Sequence, residues 1–162
     1  MNMTKAKSYQ GPFIIVTSLF FMWGFITVLV DALIPRLKDV FELTFLQAGL
    51  VQFAWFAAYG LLSIPGGNLI SKIGYQKGIL VGLATAGLGC LLFYPAAATR
   101  LYPLFLLALF VVAGGITILQ VAANPYISVL GPDESASARL NLSQAFNSFG
   151  TTVAPVVAAS FL

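Results

Sequence analysis

Histidine is absent, cysteine occurs once, at Cys90, and acidic and basic residues together make up 8% of the 162 positions. Each shortage excludes something. Without histidine and with a single thiol, the chain cannot build the usual metal sites, a Cys/His nucleophile pair or a disulfide framework. A charged fraction far below the roughly 25% of soluble domains leaves too little polar surface to cover a globule in water. The net charge of +3 is small and dispersed, which argues against nucleic acid as a partner. No paired acids fall within the apolar stretches, so an enzyme is not expected and no organic cofactor is called for. What the chain has in place of charge is apolar bulk. Hydrophobic residues make up 59%, the mean hydropathy is +0.94, and there are 14 Phe, 6 Tyr and 2 Trp. The solvent for such a fold is lipid.

A membrane-crossing helix needs about 20 mostly apolar residues. Five stretches qualify: Pro12 to Ile34, Phe45 to Ile70, Gly78 to Ala98, Leu101 to Leu130 with Pro125 inside it, and Arg139 to Leu162. The expected fold is therefore all-α, a polytopic transmembrane helix bundle. Residues 1–11 form an N-terminal tail, and residues 12–162 hold the five spans. Pro35 is expected to close the first span. The first apolar run is too long for the core of a cleavable signal and lacks a small-residue cleavage site. The fifth stretch is barely long enough to cross and has no flanking anchor, which suggests a piece of a longer protein. Short connections predict antiparallel neighbours. With the N-terminus in the cytoplasm, that side carries Lys5, Lys7, Lys72, Lys77 and Arg139 against Arg36, Lys38 and Arg100 outside, the bias seen in inner-membrane proteins.

Polar side chains inside a bilayer are costly unless they face the bundle interior or water, so polar stripes mark functional faces. Thr17, Gly24, Thr27 and Asp31 recur at helical spacing in the first span. Gln52, Tyr59 and Ser63 do so in the second, beside Trp55 and Phe56. Thr117, Gln120 and Asn124 stack in the fourth, and Gln144, Asn147, Ser148 and Thr151 in the fifth. The third, with Gly78, Gly82, Gly87 and Gly89, is smooth. Four helices are thus expected around a shared polar cavity, with the third turned to lipid. Asp31 is the one acid well inside an apolar run. It is either a carboxylate that takes H+ or Na+, or an interfacial residue partnered by Arg36 or water. The amides of Gln120, Asn124 and Asn147 offer both donors and acceptors, which suits a neutral polyhydroxylated ligand. They could equally bond helix to helix. Gln52 and Tyr59 extend that candidate set, and Trp23, Trp55, Phe56 and Tyr59 could stack on a sugar ring.

The stretch Gly67 to Lys77, with Gly67, Lys72, Gly74 and Lys77 at the expected places, resembles the gating-loop signature between the second and third helices of major facilitator transporters. Ser71 stands where that signature carries an acid, which weakens the salt bridge built on it. Three further stretches are FFMWGFITVLVDALIPRL (Phe20 to Leu37), QVAANPYISVLGP (Gln120 to Pro132) and RLNLSQAFNSFGT (Arg139 to Thr151). Together they resemble the fucose/galactose/glucose:cation symporter family over nearly the whole chain.

That resemblance implies the N-terminal half of a twelve-helix transporter, with the C-terminal half supplied by the rest of the protein. It implies secondary active transport of a hexose by alternating access. It places Asp31 on the family's first-helix coupling carboxylate and Asn147 on its sugar-contacting amide. Gln120 falls where the fucose:proton member has a second, protonatable glutamate. A glutamine cannot carry a proton, so D-glucose or D-galactose is favoured over L-fucose, and coupling to Na+ or to H+ through Asp31 stays open. A rival outside transport is a small membrane assembly module that uses the glycine-rich third helix as its contact face.

Overall fold

A computed structural model describes residues 9–40 and 42–161; within that range the side chains of residues 33, 36, 37, 39, 40 and 161 are outside the description. The described residues form five α-helices: α1 (Gln10–Val40), α2 (Phe45–Ile73), α3 (Tyr75–Thr99), α4 (Tyr102–Val129) and α5 (Ala136–Phe161), with a short 3-10 turn over Asp133–Ser135 before α5. Among them, α1 to α4 are long and apolar enough to cross a membrane. α5 has the length, at 26 residues, but its amides and hydroxyls dilute its apolar character.

Helix ends follow local chemistry. The Thr44 hydroxyl accepts from the Gln47 amide at 3.3 Å while the Gln47 side chain accepts from the Thr44 amide at 2.9 Å, a reciprocal cap that starts α2. Pro103 sits in the first turn of α4, where its missing N–H costs no bond. Pro35 does not close α1, which runs on to Val40. One lost backbone bond is tolerated where the turns on either side continue the helix.

The stretch read as a loop from Gly67 to Lys77 is also helical almost throughout. Gly74 alone connects α2 to α3, at φ 84°, a conformation that favours glycine. Its amide donates back to the Ile70 carbonyl at 2.8 Å.

Sequence neighbours are not all packing partners, contrary to the antiparallel-neighbour expectation. α1 lies against α5, α2 against α4 and α3 against α4, while α1 and α2 scarcely touch. α4 is therefore the axis of the bundle, and Leu109, Val112, Ala113, Ile116, Leu119, Ala122, Ala123 and Ile127 are all buried in it. Large apolar side chains cover the outside instead of charge: Phe45, Phe53, Ile64, Leu80, Leu91, Tyr94 and Val156 are all exposed. No water-soluble fold presents such a surface, so this is a multi-pass membrane protein.

The seam between α3 and α4 is made by glycines. A Cβ on Gly82 would lie 2.7 Å from the Leu119 nitrogen and 2.9 Å from the Gly115 oxygen, and one on Gly89 would strike the Val112 backbone. The α3 and α4 backbones thus meet directly. This matters for the assembly-module rival. The glycines that would have served as its contact face are already taken up inside the chain, and only Gly87 looks outward, with nothing within 4 Å of a Cβ.

Candidate functional site

A cavity of about 220 Å³ opens between α1, α2, α4 and α5. α1 contributes Trp23, Gly24 and Thr27, α2 contributes Tyr59, α4 contributes Gln120 and Asn124, and α5 contributes Gln144, Asn147 and Thr151. α3 contributes nothing, as its smooth glycine pattern led us to expect. Of the six residues put forward for the ligand, Trp23, Tyr59, Gln120, Asn124 and Asn147 line the cavity; Gln52 does not.

The amides are held in defined directions. Asn147 Nδ2 donates to the Phe20 carbonyl at 3.0 Å, and because a carbonyl only accepts, Asn147 keeps its own oxygen as a free acceptor. Gly24 is what lets α5 approach this close: a Cβ there would sit 2.7 Å from that same nitrogen. Gln120 Nε2 donates to the Tyr59 hydroxyl at 3.0 Å, and Gln144 Nε2 donates to Asn124 Oδ1 at 3.2 Å. The Thr27 hydroxyl donates to the Trp23 carbonyl at 2.8 Å. These bonds join cavity residues to one another or to backbone, and each amide retains unused valences. The site is thus a preformed array of donors and acceptors beside the Trp23 indole and the Tyr59 ring. It holds no ionisable carboxylate or ammonium, so it suits a neutral, hydroxyl-rich ligand.

Asp31 lies off the cavity. Its Oδ1 accepts from Gln52 Nε2 at 3.0 Å, so Gln52 partners the acid and does not line the ligand site. The alternative partner, Arg36, lies outside the described side chains.

Other residues in the polar stripes turn out to be structural. Thr17 and Ser143 share a buried hydrogen bond of 2.9 Å that pins α1 to α5. The hydroxyls of Thr117 and Ser63 donate to carbonyls within their own helices. Phe56 is 67% exposed on the outer face of α2, and Trp55 is buried beside Tyr59 with ring centroids 6.2 Å apart. Sequence spacing had put Gln144 and Thr27 on polar stripes without naming them as ligand residues. Their signal was that membership, one turn from a named residue on the same helix.

At the α2–α3 junction, Gly67 and Gly74 belong to the α2 terminus and the one-residue link. Lys72 ends α2 and Lys77 lies in the first turn of α3. Ser71 donates to the Asn68 carbonyl at 2.8 Å, a bond within its own helix, so it does not take over the role of an acid. Across the junction, Gln76 Nε2 donates to the Tyr126 hydroxyl at 2.9 Å, tying the start of α3 to α4.

Comparison with known proteins bears on all of this. The Major Facilitator Superfamily profile matches residues 10–162. A Brucella abortus protein named as a glucose/galactose transporter is 58% identical over 156 residues, covering 96% of this chain and 38% of that protein. The L-fucose-proton symporter of Escherichia coli K12 is 45% identical over 158 residues, covering 98% of this chain and 36% of its own length. A crystal structure of the Escherichia coli fucose:proton symporter superposes with a TM-score of 0.82 at 44% identity, over 96% of this chain and 37% of that one. The chain thus spans less than two-fifths of the length of these relatives, all of them transporters and none an enzyme. With its all-helical bundle and a profile match over almost every residue, the chain belongs to the major facilitator superfamily.

Proposed function

We propose that this chain forms the first part of a cation-coupled hexose transporter of the inner membrane, with D-glucose or D-galactose as the sugar. The observation that carries the proposal is the cavity, in which four amides, Gln120, Asn124, Gln144 and Asn147, converge beside Trp23 and Tyr59. Amides read hydroxyl groups as both donor and acceptor, and aromatic faces suit the apolar side of a sugar ring. At about 220 Å³ the cavity is smaller than the roughly 300–1,000 Å³ of complete ligand pockets. That fits one wall of a site completed by the C-terminal half of the same transporter. The relatives' names supply the substrate class, and Gln120 favours glucose or galactose over fucose. Asp31 takes the coupling H+ or Na+; no other cofactor enters. Lys72 and Lys77 with Gly67 and Gly74 form the cytoplasmic gating region, and the N-terminus lies in the cytoplasm.

The test is uptake of labelled glucose, galactose and fucose into proteoliposomes by the complete transporter under an imposed Na+ or proton gradient. Accumulation of glucose or galactose is expected with one of the two ions and is lost in Asp31→Asn. No hexose uptake under either gradient would falsify the proposal. In the same system Asn147→Leu is expected to weaken sugar affinity by at least about tenfold, because it removes an acceptor from a site built to hydrogen-bond. An unchanged affinity would take Asn147 out of the sugar site.

A further inference from the structure

Asp31 is separated from the cavity it is proposed to control, since neither Asp31 nor its partner Gln52 lines it. A route between them is visible at the boundary of α1 and α2. These helices scarcely pack together: α1 rests on α5, and α2 rests on α4. What bridges them at the acid is polar: Gln52 Nε2 donates to Asp31 Oδ1 at 3.0 Å, the outer rung. Further along α2 the inner rung leads to α4, where the Tyr59 hydroxyl accepts from Gln120 Nε2 at 3.0 Å. Seven residues separate Gln52 from Tyr59, which sets both on one face of α2.

We infer that Gln52 is the positioning residue that transmits the state of Asp31 to the sugar cavity across this boundary. The inference rests on the cation-coupled reading above. An ionised Asp31 is acceptor-only and holds the Gln52 amide hydrogen. A proton on the carboxyl turns one oxygen into a donor, and a bound Na+ occupies the lone pairs that Gln52 uses. Either way the outer rung weakens, because Gln52 then meets a neutral or a cation-shared acceptor in place of a free carboxylate. Little else joins α1 to α2, so the change passes along α2 to Tyr59 and, through its bond to Gln120, into the cavity. Few other titratable groups surround the acid. Arg36, Lys38 and Asp39 follow it on α1, Glu42 lies in the link to α2, and Tyr59 is the only titratable residue of α2 before Lys72. α4 brings Tyr102, whose hydroxyl donates to the Gln47 carbonyl, and, at its far end, Tyr126. α5 brings Arg139 near its first turn.

The experiment uses the complete transporter carrying Gln52→Met, which keeps the side-chain length and removes the hydrogen bond. Exchange of labelled sugar at equal concentrations, with no gradient, is expected to stay within about twofold of the parent. Gradient-driven accumulation should fall at least about tenfold, within the roughly 5–150-fold span typical of coupling between sites. Sugar affinity should also stop responding to the coupling cation. Gln52→Met accumulating sugar like the parent overturns the inference. If Gln52→Met fails to reach the membrane, Gln52→Asn, which retracts the amide by one methylene, must show the same split between exchange and accumulation, and normal accumulation there overturns it equally. Asp31→Asn run alongside separates the two ideas: accumulation that survives in that variant removes the coupling reading itself, and this inference with it.

Discussion

Gly115→Leu is expected to abolish the folded protein, while Gly87→Leu on the partner helix leaves yield and thermal midpoint unchanged. The asymmetry follows from what each side chain would meet. A Cβ on Gly115 would run into the Ala86 backbone nitrogen, with the Ala86 Cα and the Gly82 carbonyl oxygen each at 2.7 Å. Overpacking typically costs about 1–3 kcal/mol where neighbouring side chains can shift. Here the obstacle is backbone, so the two helices must separate, and α4 is the element on which α2, α3 and part of α5 all rest. Against a total stability on the order of 5–15 kcal/mol, losing that seam leaves little. Gly87 has nothing within 4 Å and faces outward, so a leucine there adds one more apolar side chain to an apolar surface. The monodisperse fraction in detergent and the thermal midpoint measure both variants. Equal behaviour of the two would show that the α3–α4 approach is not what the fold depends on.

Arg139→Ala is the second large loss, and Arg139→Lys is expected to recover only part of it. The last carbonyls of a helix have no donor within it. At the end of α4 Arg139 supplies them, donating through Nε to the Ile127 carbonyl at 3.2 Å and through Nη2 to the Ser128 carbonyl at 2.8 Å. Its Nη1 reaches the Pro132 carbonyl at 2.8 Å and the Ser135 hydroxyl, and its guanidinium lies 5.8 Å from the Tyr9 ring. The residue is 6% exposed, so these carbonyls have little water to turn to. Each buried acceptor left without a donor costs about 1–3 kcal/mol. An ammonium on a flexible stem cannot reproduce a planar fork aimed at several carbonyls at once. The thermal midpoints of the two variants decide the matter, and a lysine variant as stable as the parent would remove the fork argument.

Arg139 also shows where sequence reasoning stopped. As a charge near a span end it counted only toward orientation, because nothing in the spacing says that a side chain of α5 will cap α4. The cavity was legible for the opposite reason. A polar group in lipid has few tolerable places, so Tyr59, Gln120, Asn124 and Asn147 could be assigned to one interior face from helical periodicity, while Trp23 entered separately as a ring that could stack on a sugar. Periodicity gives a face and not a partner, which is why Gln52 was grouped with the ligand residues when its amide goes to Asp31. The same limit explains Thr17, whose hydroxyl is spent on Ser143. Proline and glycine were misread where their local preference met tertiary support. Pro35 breaks one bond in a helix that continues, and Gly67 lies inside α2 with Val121 of α4 3.9 Å from where its Cβ would stand. Helix order in space was not legible at all. Short links bring consecutive ends together but do not decide which helices share a long contact.

The glycine seam between α3 and α4 has a mechanical consequence. Where backbone meets backbone there is no intervening layer of rotamers to rearrange, so α3 and α4 cannot slide by repacking and behave as one stiff beam. The α1–α2 boundary is the reverse, a compliant joint closed by the Gln52–Asp31 hydrogen bond. Stiffness is therefore distributed unevenly across the bundle: a rigid spine carries Gln120 and Asn124, and the soft joint lies on the side of Asp31. A change at the acid therefore shifts α2 and Tyr59 against a spine that holds Gln120 and Asn124 in place.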